Sequence, residues 1–363
     1  MASRITRFPA ARSACFPRPR RSRIVSNIAV NTGWIWQSKP SAKAGVINDL
    51  RWPKSLPQPK SAAYAGLSSL TWKCSHDSPQ NLAASVKARL QNVATQRSES
   101  FNWLLIRYGI ERLLYRLSQS SHADRFLRKG AMLFVLWDDH THRPTRDLDL
   151  LGFVAAEKSE LTQIFRDIIG TTVPDDGLIF ESNLVQADEI RETATYDGIR
   201  IRLLAKLGSA EIPVQIDIGA GDAVTLEPES VMFPVLLDFP APKVRVYLAY
   251  TVVAEKFEAM VSLGATNTRM KDFYDLWFIS TRFEFEPTLL STAIQATFAR
   301  RQTQLTPTPE PFSESFATDP TKQVQWTAFL RRNDLRGASP QFAEVMAHIR
   351  NFIGPVLRSA FPE

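Results

Sequence analysis

Two carboxylates one residue apart set the chemistry this chain could perform. Asp147 and Asp149 lie in Arg143-Pro-Thr-Arg-Asp-Leu-Asp-Leu-Leu-Gly-Phe153, where the acids alternate with leucines. In a β-strand, residues i and i+2 point to the same side. Both acids would then face one way while Leu148 and Leu150 face the core. Two like charges that close resist sharing a dry site. A divalent cation relieves the repulsion, and hard oxygen donors suit magnesium. D-x-D at a strand end therefore reads as a metal clamp for phosphate chemistry or, more plainly, as a strand end with two solvated acids.

Further residues join this pair by type and spacing. Glu211-Ile-Pro-Val-Gln-Ile-Asp-Ile-Gly219 alternates, with Val214, Ile216 and Ile218 on one face and Gln215 and Asp217 on the other. Asp217 in mid-strand needs a partner, because an unpaired charge there is costly. A shared metal or a salt bridge to Arg200 or Arg202 would provide one. Lys256 falls on the apolar side of a helix over 250–264, whose buried positions are 249, 253, 257, 260 and 264, with Glu255 and Glu258 outward. Such a lysine either snorkels to water or meets an anion. In Arg269-Met-Lys-Asp-Phe-Tyr-Asp-Leu-Trp277, Asp272 and Asp275 share one helix face. Their ordinary role there is to offset the charge of a first turn. Upstream, a short strand over 126–128 runs into Gly130 and a helix. Glycine lets backbone approach a ligand, and a helix start offers N–H groups to phosphate. Lys129 beside it is a phosphate contact or a solvated turn lysine.

The elements that position these residues are legible from apolar periodicity. Helices are expected over 81–98, 101–117 and 157–169, and strands over 185–190, 198–207 and 211–219. In the strand over 198–207, Ile199, Ile201 and Leu203 oppose Arg200, Arg202 and Leu204. Past the prolines at 234, 240 and 242 the pattern turns helical: 250–264, a helix opening at 269, then 286–301, 324–332 and 342–357. A Pro/Thr-rich loop covers 303–320, and no internal repeat is present.

The net charge of +7 is unevenly placed. Residues 1–77 hold thirteen Lys/Arg against two acids, so they carry +11 and the remainder carries −4. The basic balance is thus weak evidence for a nucleic-acid surface on the body. The first segment is rich in Arg, Pro and Ser and is expected to be mostly disordered. It reads as a basic arm, as a transit-like peptide, or, the reading favoured here, as the product of a start codon set too early. Trp34, Trp36, Trp52 and Trp72 follow no pattern there. Cys15 and Cys74 both lie in it. The body can therefore build neither a disulfide framework nor a cysteine metal site, which suits a reducing cytoplasm. No run of about 18 apolar residues argues for a membrane span.

Read in order, Gly130-Ala131, Asp147-x-Asp149, Asp217, Lys256 and Asp272 resemble the polymerase-β-like nucleotidyltransferase superfamily. Its signature is Gly-Ser, a short helix, D-x-D on one strand and a third carboxylate on a neighbouring strand. More narrowly, the chain is similar to the AbiEii/AbiGii toxins, the enzyme half of type IV toxin–antitoxin pairs. The stretches that carry the likeness are Lys129-Gly-Ala-Met-Leu, Arg143-x-Thr-x-Asp-Leu-Asp, Val214-Gln-Ile-Asp-Ile-Gly, Val252-Val-Ala-Glu-Lys-Phe-Glu-Ala-Met and Arg269-Met-Lys-Asp-Phe-Tyr-Asp-Leu. The resemblance covers about residues 81–300. Ala131 departs from the usual Ser, and the gap from Gly130 to Asp147 is longer than in many members.

The resemblance implies an α+β fold: a nucleotidyltransferase core of small mixed sheet and helices over 78–235, then a helical domain over 236–363, with 1–77 as an extension. It implies magnesium-dependent transfer of a nucleoside monophosphate from an NTP to an acceptor, first of all a tRNA 3′ end, blocking translation and growth. Asp147, Asp149 and Asp217 would hold two Mg²⁺ ions. Gly130, Ala131, Lys129, Thr145 and Lys256 would hold the nucleotide, and Asp272 would belong to the catalytic set with its role open. A separately encoded winged-helix antitoxin and a bacterial cytoplasmic setting, away from membranes, are implied as well. Two other readings remain: an enzyme of this fold that adenylylates a protein or a small molecule such as an aminoglycoside, and a non-catalytic nucleotide-binding module. Intact Asp147, Asp149 and Asp217 count against the last.

Overall fold

The computed structural model describes residues 79–137, 145–153, 157–193, 196–335 and 337–361. The expected disordered extension over 1–77 and Arg143 of the acidic motif lie outside the described residues. The strands are β1 (Phe126–Lys129), β2 (Asp147–Gly152), β3 (Leu178–Phe180), β4 (Gln186–Thr193), β5 (Tyr196–Leu207), β6 (Ala210–Ala220), β7 (Glu229–Met232) and β8 (Lys243–Val246). The helices are α1 (Pro79–Arg97), α2 (Phe101–Gln119), α3 (Phe134–Trp137), α4 (Lys158–Ile169), α5 (Ala249–Leu263), α6 (Met270–Arg282), α7 (Pro287–Arg301), α8 (Glu314–Ala317), α9 (Pro320–Arg332) and α10 (Phe342–Ala360). The α+β class follows directly, with a mixed sheet and helices on either side of it in the chain.

The sheet runs β3-β5-β6-β2-β1-β8-β7, with β4 also paired to β5. β2 and β6 are parallel, and so are β1 and β8; the other neighbours are antiparallel. Alternation dictates which way β5 and β6 face. Ile199, Ile201 and Leu203 and, opposite them, Val214, Ile216 and Ile218 are buried. The intervening Arg200, Gln215 and Asp217 are only half-buried. Leu148 and Leu150 of β2 are buried as well, at 1% exposure each.

The apolar face is covered by α2 with α1 and α4 beside it. Gly109 allows α2 to lie close: a Cβ there would stand 3.1 Å from Ile212 Cγ2 and 3.2 Å from Val214 Cγ2. α2 also buries charge along the same length. Arg116 forks onto Asp176 at 2.7 and 3.1 Å, and Glu111 meets Arg107 at 3.2 Å. Glu111 also accepts from the Leu236 backbone N–H at 3.0 Å, and Arg112 donates to the Pro240 carbonyl at 2.9 Å. These bonds fix the proline-rich connection to the body. The second apolar assembly packs α5 against α6 and α7, with α10 on α6 and α7. Trp326, Phe273, Phe298 and Phe342 are buried within it. The segment expected as a plain loop over 303–320 holds α8, and α9 starts at Pro320, with the Asp319 carboxylate accepting from the Thr321 N–H.

Ile216 pairs with Leu148 on one side and Ile201 on the other and is 0% exposed. Ile216→Ala should cost about 2–5 kcal/mol, since a cavity opens in a strand held from both sides. Urea unfolding of the two proteins checks this; a loss under about 1 kcal/mol would mean the site relaxes freely.

Candidate active site

One rung of the sheet collects the charges. Register pairs Lys129 of β1 with Asp149 of β2, Asp149 with Asp217 of β6, and Asp217 with Arg200 of β5. Residues opposite one another on neighbouring strands point to the same face. Two carboxylates therefore stand side by side, about one strand spacing of 4.8 Å apart at the backbone. A cation flanks them at each end. Asp147 lies two residues back along β2 on the same side. Asp147, Asp149 and Asp217 line one cleft of about 1320 Å³ together with Gly130, Lys256 and Lys271.

The pairings within the cleft are specific. Arg200 donates through Nε and Nη2 to the two oxygens of Asp217, both at 2.8 Å. Lys129 is bound to Asp222 and lies 3.7 Å from Glu255. Lys256 Nζ lies 2.9 Å from Asp272 Oδ1 and 2.6 Å from Asp275 Oδ2. Asp275 is fully buried, and Arg269 meets the other oxygen of Asp272 at 2.9 Å. The lysine on the apolar side of its helix thus meets anions rather than snorkelling. Thr145 lines the cleft, and its carbonyl accepts from the Trp103 indole at 3.2 Å.

Burial and repulsion act on the strand acids. Burial, with the charge of Asp217 adding to it, pushes the Asp147 carboxyl above its usual range. Burial does the same to Asp149, again with Asp217 adding and with Lys129 and Lys271 opposing. Asp272 goes the other way: burial opposes its charge, but Lys256 and Arg269 hold it below the usual range.

Gly130 completes the floor. It has φ +76°, outside the range most side chains adopt. A Cβ there would fall 1.9 Å from Asp149 Oδ2 and 2.7 Å from Asp149 Cβ. The chain turns at Gly130 into a short 3-10 turn over Ala131–Leu133 and then α3, a lighter structure than the helix expected after it. Ala131 is buried at 8% exposure and lines the cleft.

A second set of charges was not read from the sequence. Asp222, just past β6, binds both Lys129 and Arg301. Arg301, at the end of α7, also reaches Glu258 at 2.7 Å, and Thr303 donates to Glu258 at 2.5 Å. Glu255 and Glu258, expected to project outward, both face the cleft, and Glu258 is only 4% exposed. The reason is that α5 has α6 and α7 packed on it, leaving no wide solvent face. Gly219-Ala-Gly-Asp222 following a strand was the one available signal for Asp222. Among the described residues, no three His, Cys, Asp or Glu side chains are gathered as a ready metal cluster. The donor chemistry still fits a divalent cation. Magnesium commonly takes one or two carboxylates and completes its shell with water and phosphate oxygens.

The family model described as nucleotidyl transferase AbiEii toxin, type IV TA system, matches residues 112–348. The chain belongs to this AbiEii family. It is accordingly a nucleotidyltransferase of the toxin–antitoxin class, a class that implies an antitoxin and an NTP substrate. Two solved structures resemble it: a protein from H. pylori described as a candidate nucleotidyltransferase, and JHP933 from Helicobacter pylori. Each is 16% identical with a TM-score of 0.41, covering 69% of this chain and 95% and 90% of theirs. No curated protein sequence matches. Among the described residues, no helix of this AbiEii-family chain is long and apolar enough to cross a membrane.

Two measurements test this geometry. Gly130→Ala should cost about 1–3 kcal/mol through the strained φ and, by displacing Asp149, should remove activity as well; a thermal melt beside an activity assay reads both. Asp222 is held ionised down to about pH 2, against 3.8 ordinarily: burial opposes this, but Lys129 and Arg301 prevail. A lowered folded pKa contributes stability above pH 4 that is lost as pH falls towards 2. Asp222→Asn should therefore be about 2 kcal/mol less stable near neutrality, with the gap to wild type closing between about pH 4 and pH 2. A gap that stays constant in urea titrations over that range would contradict the assignment.

Proposed function

We propose that the cleft transfers a nucleoside monophosphate from an NTP to an acceptor hydroxyl, and that the first acceptor to test is a tRNA 3′ end. The observation that carries the reading is the parallel register that sets Asp149 beside Asp217, with Asp147 on the same face and the positive-φ Gly130 against Asp149. In the reaction, the acceptor oxygen forms a bond to the α-phosphorus. The bond from that phosphorus to the α,β-bridging oxygen breaks, and pyrophosphate leaves with the electron pair. The acceptor proton passes to Asp217 or to water.

Asp147 and Asp149 would hold magnesium, as one or two ions, with Asp217 as the third carboxylate once Arg200 yields an oxygen. Bound there, magnesium would supply positive charge to the entering and leaving oxygens. Gly130 leaves room for the Asp149 carboxylate against the backbone, and the turn it begins, with Ala131, Lys129 and Thr145, would border the phosphates. Lys256 would set its charge against the β- and γ-phosphates, where negative charge builds on the leaving group. Asp272 and Asp275 fix the lysine in place, which assigns Asp272 a positioning role. In this proposal the division of labour follows the chain, with the carboxylates from 78–235 and the lysine from the helical domain over 236–363. Blocked translation and growth arrest would follow from capping tRNA, and a winged-helix antitoxin would control it. A bacterial cytoplasm, where NTPs and tRNA are at hand, is the setting that suits this chemistry.

Asp149→Asn removes a ligand and one half of a repulsive pair. Transfer of label from α-³²P NTPs to total tRNA should fall by about 10²–10³-fold or more, while the melting temperature holds or rises because burial disfavours that charge. Wild-type transfer by the variant would sink the mechanism. Label found on protein instead of tRNA would redirect it to adenylylation.

A further inference from the structure

We propose that Lys271 is a direct contact to the polyphosphate of the bound nucleotide and sets the preference for a triphosphate over a monophosphate; this rests on the transferase reading above. The cations of the cleft fall into two groups. Lys129, Lys256, Arg269 and Arg301 each have a carboxylate partner: Asp222, Asp272 with Asp275, Asp272, and Asp222 with Glu258. Their charge is already shared, so they act on a phosphate from where they are held; moving any of them off its acid would leave that acid buried and unpaired, which is costly. Lys271, Arg146 and Arg332 line the same cleft and are exposed, and none has an ion-pair partner among the described residues.

Lys271 differs from the other two in where its charge is felt. It ranks among the strongest influences on both Asp147 and Asp149, whereas Arg146 does so for Asp147 alone and Arg332 for neither. Its backbone is also anchored. It is the second residue of α6, between Arg269 and Asp272, which pair with each other, and Asp272 in turn grips Lys256 of α5. A lysine stem on a fixed base, exposed in the cleft that Asp147 and Asp149 also line, can swing onto an anion delivered there. In the sequence, Lys271 lies inside the Arg269-Met-Lys-Asp-Phe-Tyr-Asp-Leu stretch and reads, with Arg200, Arg202 and Arg269, as part of a local basic patch for nucleic acid.

A phosphate contact and a solvated lysine differ in what a substitution does. Calorimetric titration with α,β-methylene analogues of the four nucleoside triphosphates, and with the matching monophosphates, separates them. With the analogue that wild type binds, Lys271→Ala should weaken binding by about 10–100-fold, the range for a hydrogen bond to a charged group. Monophosphate binding should change less than about twofold, and Lys271→Arg should recover most of the triphosphate affinity, because it keeps the charge. Undiminished binding of the analogue by Lys271→Ala overturns the proposal. Equal losses for triphosphate and monophosphate overturn it too, since they indicate a loosened α6. Wild-type protein that binds no triphosphate analogue would instead remove the transferase reading, and this proposal with it.

Discussion

The interaction on which the site depends is a repulsion that the sheet enforces. Parallel pairing of β2 with β6 sets Asp149 opposite Asp217, and neither strand can slip without turning Leu148, Leu150, Ile216 and Ile218 out of the core. The apolar face thus dictates that two carboxylates stand together on the polar face. Left alone, such a pair would take up a proton or draw in a cation. Arg200 and Lys129 at the ends of the rung reduce the cost without abolishing it, and burial still pushes Asp147 and Asp149 above their usual range. A site that stores unfavourable charge in this way is suited to an arriving cation, which would relieve it.

The helices make that charge usable by holding the counter-charges at fixed places. α5 and α6 are joined through Lys256, Asp272 and Asp275, so the lysine cannot fold away into water. α7 is joined to the end of β6 through Arg301 and Asp222, and Asp222 reaches back to Lys129 on β1. Sheet and helices are therefore connected by ion pairs on the walls of the cleft itself. Pairs of this kind add little net stability when the cost of drying them is counted. Removing one partner is a different matter, because the other is left buried.

Much of this was legible in the residues. The alternation in β5 and β6 named the inward positions, and the D-x-D spacing named the shared face. The proposed partners of Asp217 included Arg200, and Lys256 was marked as needing water or an anion. What could not be read was anything that depends on long-range pairing. Nothing local says that β2 runs beside β6, or that Asp272 and Asp275 reach across to Lys256. β3, β7 and β8 are three or four residues long, too short for alternation to show, and β8 follows a proline-rich stretch. Glu255 and Glu258 were misread for a related reason. A helix wheel assigns one dry side, whereas α5 has neighbours on several.

Arg200 shows where a sequence argument and a fold argument meet. A salt bridge and a metal ligand were alternatives for Asp217, and register together with the Arg200 side chain gives the salt bridge. Both oxygens of Asp217 lie at 2.8 Å from the guanidinium, so a two-pronged hydrogen bond already takes up half of that carboxylate's acceptor sites. Among the described residues Asp149 has no such bond, and its nearest constraint is the space left by Gly130. The two acids of the rung are thus unequal. One faces the cleft without an arginine on it; the other is oriented and partly neutralised by one. In the reading proposed above, a cation would therefore meet Asp147 and Asp149 more readily than Asp217, whose oxygens already face an arginine.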